Sequence, residues 1–139
     1  MLAPQTGPVG ARVPRPPYTE FMNRAREPGK VYDYVDIHGS SGATYRFLRL
    51  KDGRPLSPMG GNYVYARFTG DKLDMILAGE AQNLLKDARD RWNEAAERYQ
   101  VTELYSRLNI SERVRLLELA DIVEANHPPM NLTPDRKAG

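Results

Sequence analysis

The chain has 139 residues, with 20 lysines and arginines against 18 aspartates and glutamates, which gives a formal net charge of +2. This length suits one compact domain of ordinary globular composition, and the balanced charge argues against a surface coated with basic residues, although it leaves room for a local basic groove. Cysteine is absent and histidine occurs twice, which excludes disulfides, thiol catalysis and metal centres built from either residue type.

The sequence also indicates where the protein is found. No apolar run approaches the roughly 20 residues that a membrane span requires. Prolines interrupt the N-terminal segment, where a signal peptide would need an unbroken apolar core. We therefore expect a cytoplasmic protein with no membrane partner.

Residues 1–30 have the composition of an extended arm. They contain six prolines, which deny backbone donors to a strand, and five basic residues against two acidic ones. The segment predicts at most a helical turn near residues 20–26. It is either a solvated tail or a basic arm that touches a nucleic-acid backbone. Residues 133–139 are predicted to form a short tail.

Four strands are predicted after the arm. Apolar and aromatic residues alternate with a period of two, and glycine-containing turns separate the segments. The predicted strands cover residues 31–37, 43–50, 63–68 and 73–77. Joined by such tight turns, they form an antiparallel sheet or two hairpins.

Helical periodicity replaces this pattern after Gly79. One long helix is predicted to bury Leu85, Ala88, Trp92, Ala95, Ala96 and Tyr99 on a single face. A shorter helix is predicted over residues 102–108, and a third over residues 111–126 with Ser111 as its N-cap. Strands followed by helices predict an α+β fold, a small antiparallel β-sheet packed with three helices.

Four short motifs occur in order along the second half of this domain. They are Gly61-Asn62-Tyr63, then Leu77-Ala78-Gly79 running into Ala81-Gln82-Asn83-Leu84, then Leu117-Glu118, and finally Pro128-Pro129-Met130-Asn131. In this order they resemble the GIY-YIG nuclease superfamily, known from the incision subunit of bacterial excision repair and from homing endonucleases. The resemblance covers residues 59–132 within a single GIY-YIG-like domain of residues 31–132. Residues 31–58 resemble an N-terminal hairpin extension of some small bacterial relatives.

The resemblance implies a metal-dependent phosphodiesterase, or endonuclease, that acts on DNA. Glu118 would ligate a single Mg²⁺ or Mn²⁺ ion that polarises the scissile phosphate. Tyr63 would position or deprotonate the attacking water, and an arginine on the first helix would stabilise the transition state. Asn131 would hold the end of the third helix against the core.

Two positions depart from the family pattern. Leu77 replaces the tyrosine of the second motif, and Asp87 replaces the expected arginine. Arg91 lies one turn further on, about 40° around the helix from position 87 at 100° per residue, so it is the candidate for a displaced catalytic cation. Arg89 points about 200° away and is a candidate for substrate binding.

Three more residues are candidates for substrate binding. Gly61 and Gly79 would let the backbone come close to a ligand or to a neighbouring strand, and Asn83 opens the first helix. Each candidate also has a purely structural interpretation: Asn83 as a helix cap, Tyr63 as packing, and Glu118 as a solvated or ion-paired side chain. The sequence therefore also allows an inactive relative that binds nucleic acid or a protein, and a structural domain without phosphate chemistry.

Overall fold

A five-stranded antiparallel sheet is the centre of the computed structural model, which describes residues 33–51, 54–70 and 72–132. The predicted arm of residues 1–30 and the tail of residues 133–139 lie outside the described residues. No helix in the described ranges is long and apolar enough to cross a membrane.

Strands and helices alternate along the chain more often than the sequence predicted. Strands β1 and β2 form one hairpin and β3 and β4 form another. Three α-helices, a fifth strand and a final 3-10 helix follow. Their bounds are β1 Tyr34–His38, β2 Thr44–Arg49, β3 Gly61–Thr69, β4 Lys72–Ala81, α1 Leu84–Asp87, α2 Trp92–Tyr99, β5 Glu103–Leu108, α3 Glu112–Asn126 and the 3-10 helix Pro129–Leu132. The α+β class, with a small antiparallel sheet and three helices, is confirmed.

The predicted helix over residues 102–108 is wrong, because this segment is strand β5. It lies between the two hairpins, so the order across the sheet is β1-β2-β5-β3-β4. Leu104 and Tyr105 are neighbours in the chain and both are buried, but they belong to different apolar clusters. A central strand buries consecutive residues on opposite sides of the sheet, whereas a helix that is covered on one side buries a single stripe.

The predicted long helix is also wrong, because it is divided into α1 and α2. The buried Tyr65 hydroxyl lies at the break, where it donates to the carbonyl of Ala88 (2.7 Å) and accepts from the amide of Arg91 (3.2 Å). These bonds satisfy backbone groups that a continuous helix would pair internally. Strand β4 also extends to Ala81, which shortens the segment left for the first helix.

The sheet separates two apolar clusters, and its two faces take their names from the helices that cover them. The α3 face carries Val64 and Ala66 of β3, which pack with Ile122. The α1–α2 face carries Tyr65, which packs with Leu84 of α1 and with residues of α2. Consecutive residues of β3 therefore belong to opposite faces. In β4 the register shift opposite Tyr65 interrupts this alternation, and Ile76 and Leu77 both belong to the α1–α2 face.

Candidate functional site

Strands β3 and β4 bring the first two motifs side by side. Tyr63 is paired with Gly79 and Gly61 with Ala81 in the antiparallel register. A Cβ atom at Gly79 would collide with the phenol ring of Tyr63. Glycine at this position therefore makes room for the Tyr63 side chain of the neighbouring strand, which is one of the two close approaches that the sequence predicted.

Tyr63 is half-buried on the α1–α2 face. Its ring centroid lies 5.6 Å from that of Tyr65, and it packs against the apolar cluster of this face. Burial raises the pKa of Tyr63 to about 12, with a further contribution from the negative charges of Asp90 and Glu80. The phenol is therefore fully protonated near neutral pH, and it is a poor general base for activating water.

Glu118 lies on α3 and forms an ion pair with Arg107 of β5. Its two carboxylate oxygens accept from Nε (3.0 Å) and Nη2 (3.4 Å) of the guanidinium. The partner of Glu118 is therefore an arginine of the sheet, which neutralises the carboxylate charge. No group of three potential metal-ligating side chains occurs within the described ranges. A Mg²⁺ or Mn²⁺ ion at Glu118 would have to displace Arg107 and take its remaining ligands from water and a substrate phosphate.

Tyr63 and Glu118 lie on opposite faces of the sheet. Arg107, which holds Glu118, is the register partner of Asn62, and the Asn62 side chain donates to the backbone of α3 at Arg115. Tyr63 is the next residue along β3, so its side chain points to the other face. The prediction that this tyrosine and this carboxylate share one pocket is wrong.

Arg91, the predicted displaced cation, is neutralised within its own helix. Its Nε and Nη2 donate to the two carboxylate oxygens of Glu94 at 3.1 and 3.2 Å, and its Nη1 donates to the carbonyl of Met130 at 3.4 Å. Arg98 also bonds Glu94, at 3.2 Å. Hydrogen bonding from Arg91 is the main reason that the pKa of Glu94 is lowered. This guanidinium is committed to intramolecular partners.

The other predicted binding residues have packing or capping contacts. Asn83 caps α1, since its side-chain oxygen accepts from the amide of Lys86 at 3.0 Å. A Cβ atom at Gly61 would collide with the carbonyl of Arg107 and the side chain of Leu84, so glycine permits close packing there. Arg89 lines a small cavity of about 160 Å³ beside Trp92.

Two further motif residues, Leu77 and Asn131, make structural contacts. Leu77, at the position of the family's second-motif tyrosine, is buried in the apolar cluster of the α1–α2 face. Asn131 binds the backbone of the edge strand β4, because its side-chain oxygen accepts from the amide of Ala78 and its nitrogen donates to the carbonyl of Ala78, both at 2.8 Å. These two hydrogen bonds attach the segment after α3 to the sheet.

The sequence did not predict a cluster of hydrogen bonds centred on Asp121. The carboxylate of Asp121 on α3 accepts from the Tyr45 hydroxyl (2.7 Å), the Ser40 hydroxyl (3.1 Å), and the amide (2.8 Å) and hydroxyl (2.7 Å) of Ser41. Desolvation opposes ionisation, but these bonds lower the pKa of Asp121 overall. The serines belong to the turn between β1 and β2. No local pattern connects a turn to a helix 80 residues away, so only the fold reveals this contact.

A second polar centre closes the beginning of α3. The buried guanidinium of Arg115 bonds Glu80 of β4 at 2.8 Å and the carbonyls of Asn109 and Ile110 at 3.1 and 2.7 Å. It joins three chain segments that meet near the start of β3. Its partners identify it as a structural residue.

Comparison of the chain with models of protein families, with curated proteins and with solved structures finds no match.

Proposed function

We propose that the chain is a relative of the GIY-YIG nucleases that binds DNA without cutting it. The observation that carries this proposal is the separation of Tyr63 from Glu118 by the thickness of the sheet. The order of motif strands, helix and later helix agrees with the resemblance, and the two motif strands form one hairpin. The proposal therefore retains a common origin with the GIY-YIG nucleases and assigns no DNA cleavage to the chain.

Each group that hydrolysis would need is engaged elsewhere. Phosphodiester cleavage requires an activated water, a cation near the scissile phosphate and a positive group for the transition state, all within one site. The phenol of Tyr63 stays protonated, Glu118 is bound to Arg107, and Arg91 is bound to Glu94. The negative charge of Asp90, which raises the pKa of Tyr63, would also repel a phosphate there.

The resemblance is the basis for proposing DNA binding. The composition is the basis for proposing a cytoplasmic location. A duplex would be held by contacts between cationic side chains and phosphates, which do not require a catalytic centre. The absence of cysteine throughout the sequence is compatible with a reducing compartment.

The test combines a cleavage assay with a binding assay. Supercoiled plasmid incubated with the protein and Mg²⁺ or Mn²⁺ should stay intact, and Glu118→Ala should behave like the parent. Binding to a labelled duplex should weaken steeply as salt concentration rises, because bound cations are released from the phosphates. Metal-dependent nicking that is lost in Glu118→Ala would overturn the proposal, as would the absence of any salt-dependent binding.

A protein partner is the second candidate, and exposed apolar side chains favour it. Val114 and Leu117 lie on the solvent side of α3 and Ile110 lies just before the helix, and they are 37%, 60% and 74% exposed. A contiguous exposed apolar surface is typical of protein interfaces. If the duplex does not bind, this candidate takes precedence. It then predicts that Leu117→Asp abolishes capture of the partner while leaving the fold intact.

A further inference from the structure

A basic cavity lies at the end of β2, away from the motif residues. It has a volume of about 330 Å³, at the lower end of the range of about 300–1,000 Å³ for small-molecule sites. Its lining residues are Asp33, Leu48, Arg49, Leu50, Lys51, Arg54 and Pro55. Three of these side chains are cations and one is an anion, whereas the groove beside Asp121 is lined by three carboxylates and no cation.

Arg49 brings unused hydrogen-bond donors to this cavity. Its Nη1 donates to the carbonyl of Leu50 at 3.3 Å and lies 3.8 Å from the carboxylate of Glu103. Its Nε is buried and has no acceptor among the described residues. The side chain as a whole is 24% exposed, and a guanidinium has five N–H donors. An oxyanion would bind at the exposed part of this guanidinium, where donors remain beyond the bond to Leu50, and not at the buried Nε.

The other two cations are available to a ligand. Among the described residues, the Lys51 side chain has one weak partner, the exposed Asp33 at 3.5 Å, and an exposed pair of this kind contributes little. Within the described ranges the Arg54 side chain has no hydrogen bond or ion pair, while its backbone amide donates to the carbonyl of Lys51 and fixes the turn. Both cations could therefore turn toward an anion without breaking a strong contact.

We propose that this cavity binds a phosphate monoester, through Arg49, Lys51 and Arg54. A monoester carries about −1.5 to −2 charges near neutral pH and three terminal oxygens, which matches three cations better than a diester with its single charge. Leu48, Leu50 and Pro55 also line the cavity and offer apolar surface to the organic part of the ligand. The monoester belongs either to a small molecule such as a nucleotide or to the 5′ end of a nucleic-acid strand.

This site goes beyond the proposed function and can be tested separately from it. It does not involve Tyr63, Arg91 or Glu118, and it does not require a duplex. Calorimetric titration of the full chain with adenosine monophosphate and with adenosine measures the contribution of the phosphate. Titration with a short single strand that carries either a 5′ phosphate or a 5′ hydroxyl tests the second source of the same group.

Substitution identifies the cavity as the site. Arg54→Gln, at an exposed position, should weaken monophosphate binding about tenfold, since one charge-assisted contact is lost. Arg49→Gln should weaken it by at least as much. The matched control is Arg113→Gln, which makes the same charge change at an exposed position on α3 and should leave binding unchanged. Thermal unfolding of each variant establishes that the fold is kept.

The outcomes separate the two proposals. Equal affinity for adenosine and its monophosphate, or equal effects of Arg54→Gln and Arg113→Gln, would overturn the monoester site while leaving duplex binding to its own test. Monophosphate binding together with a duplex that does not bind would support the site and refute the DNA proposal. A preference for the 5′-phosphorylated strand over the mononucleotide assigns the group to a strand end, and the reverse assigns it to a small molecule.

Discussion

On the α3 face, the 15-residue helix α3 lies over the sheet and is fixed at two places, by Arg115 near its start and by Asp121 further along. On the α1–α2 face, two short helices pack over part of the sheet. Leu48 of β2 and Leu108 of β5 point to this same side and are 59% and 60% exposed. One face is therefore closed and held by polar contacts, and the other is partly open.

This difference explains why the predicted catalytic set does not assemble. The carboxylate of Glu118 belongs to the closed face, and the phenol of Tyr63 and the guanidinium of Arg91 belong to the other. Each charged group has found a partner on its own face. Two strands can thus lie side by side while the side chains that were predicted to react occupy separate surfaces.

The largest expected effect concerns the polar contact that closes the α3 face. Arg115→Met should lower the free energy of unfolding by about 3 kcal/mol, because it leaves Glu80 and two carbonyls without their buried donor. Urea unfolding measures this loss. Arg113→Met, its exposed neighbour on the same helix, should cost less than about 0.5 kcal/mol. Equal losses in the two variants would mean that Arg115 does not fasten this face.

A smaller loss is expected on the α1–α2 face. Tyr65→Phe removes the hydroxyl that bonds Ala88 and Arg91, and it should cost about 1–3 kcal/mol because two backbone groups lose their partner. Tyr63→Phe is the matched control. The hydroxyl of Tyr63 makes no hydrogen bond among the described residues, so its removal should change stability by less than about 0.5 kcal/mol. Should the control prove as costly as Tyr65→Phe, the division between α1 and α2 would need another cause.

The smallest effect depends on pH and concerns the turn that Asp121 holds. Asp121→Asn should cost about 1–2 kcal/mol at pH 7, because a neutral amide cannot accept all the bonds that the carboxylate accepts. The folded protein lowers the pKa of Asp121, so the stabilisation is present above the ordinary aspartate pKa and is lost as the pH falls through the folded value.

Urea unfolding at pH 7 and at pH 3 measures this dependence. The difference between the parent and Asp121→Asn should shrink at the lower pH. Glu124→Gln, an exposed carboxylate on the same helix, should show no such difference at either pH. A constant gap between the parent and Asp121→Asn would contradict the assigned role of the ionised carboxylate.

Periodicity predicted most elements correctly, and its errors are instructive. The N-cap of α3 was predicted from Ser111 alone, and the structure confirms it with a bond to the amide of Val114 at 3.3 Å. Strand β5 was mistaken for a helix because Leu104 and Tyr105 are apolar in succession, a pattern that a short helix and a buried strand share. Its two strand neighbours come from distant parts of the chain, and the local sequence does not contain them.

The candidate site was less predictable than the fold. The sequence indicated that Tyr63 and Glu118 are chemically suited to a nuclease, but it could not show which face each side chain occupies. That depends on the register of β3 against β5, where a shift of one residue would move Tyr63 to the other side. Arg49 lies near the end of a predicted strand, and Lys51 and Arg54 lie in the turn that follows it, so the local sequence does not indicate that the three cations meet at one cavity.

The amino-acid sequence by itself determined the α+β class, the two hairpins, the last helix with its cap and the exclusion of thiol and disulfide chemistry, because these depend on neighbouring residues and composition. Only the tertiary structure decided that β5 fills the centre of the sheet, that the predicted catalytic residues are divided between its faces, and that three cations meet at one cavity. Those features depend on pairing between distant segments, which the whole fold selects through burial and hydrogen bonding.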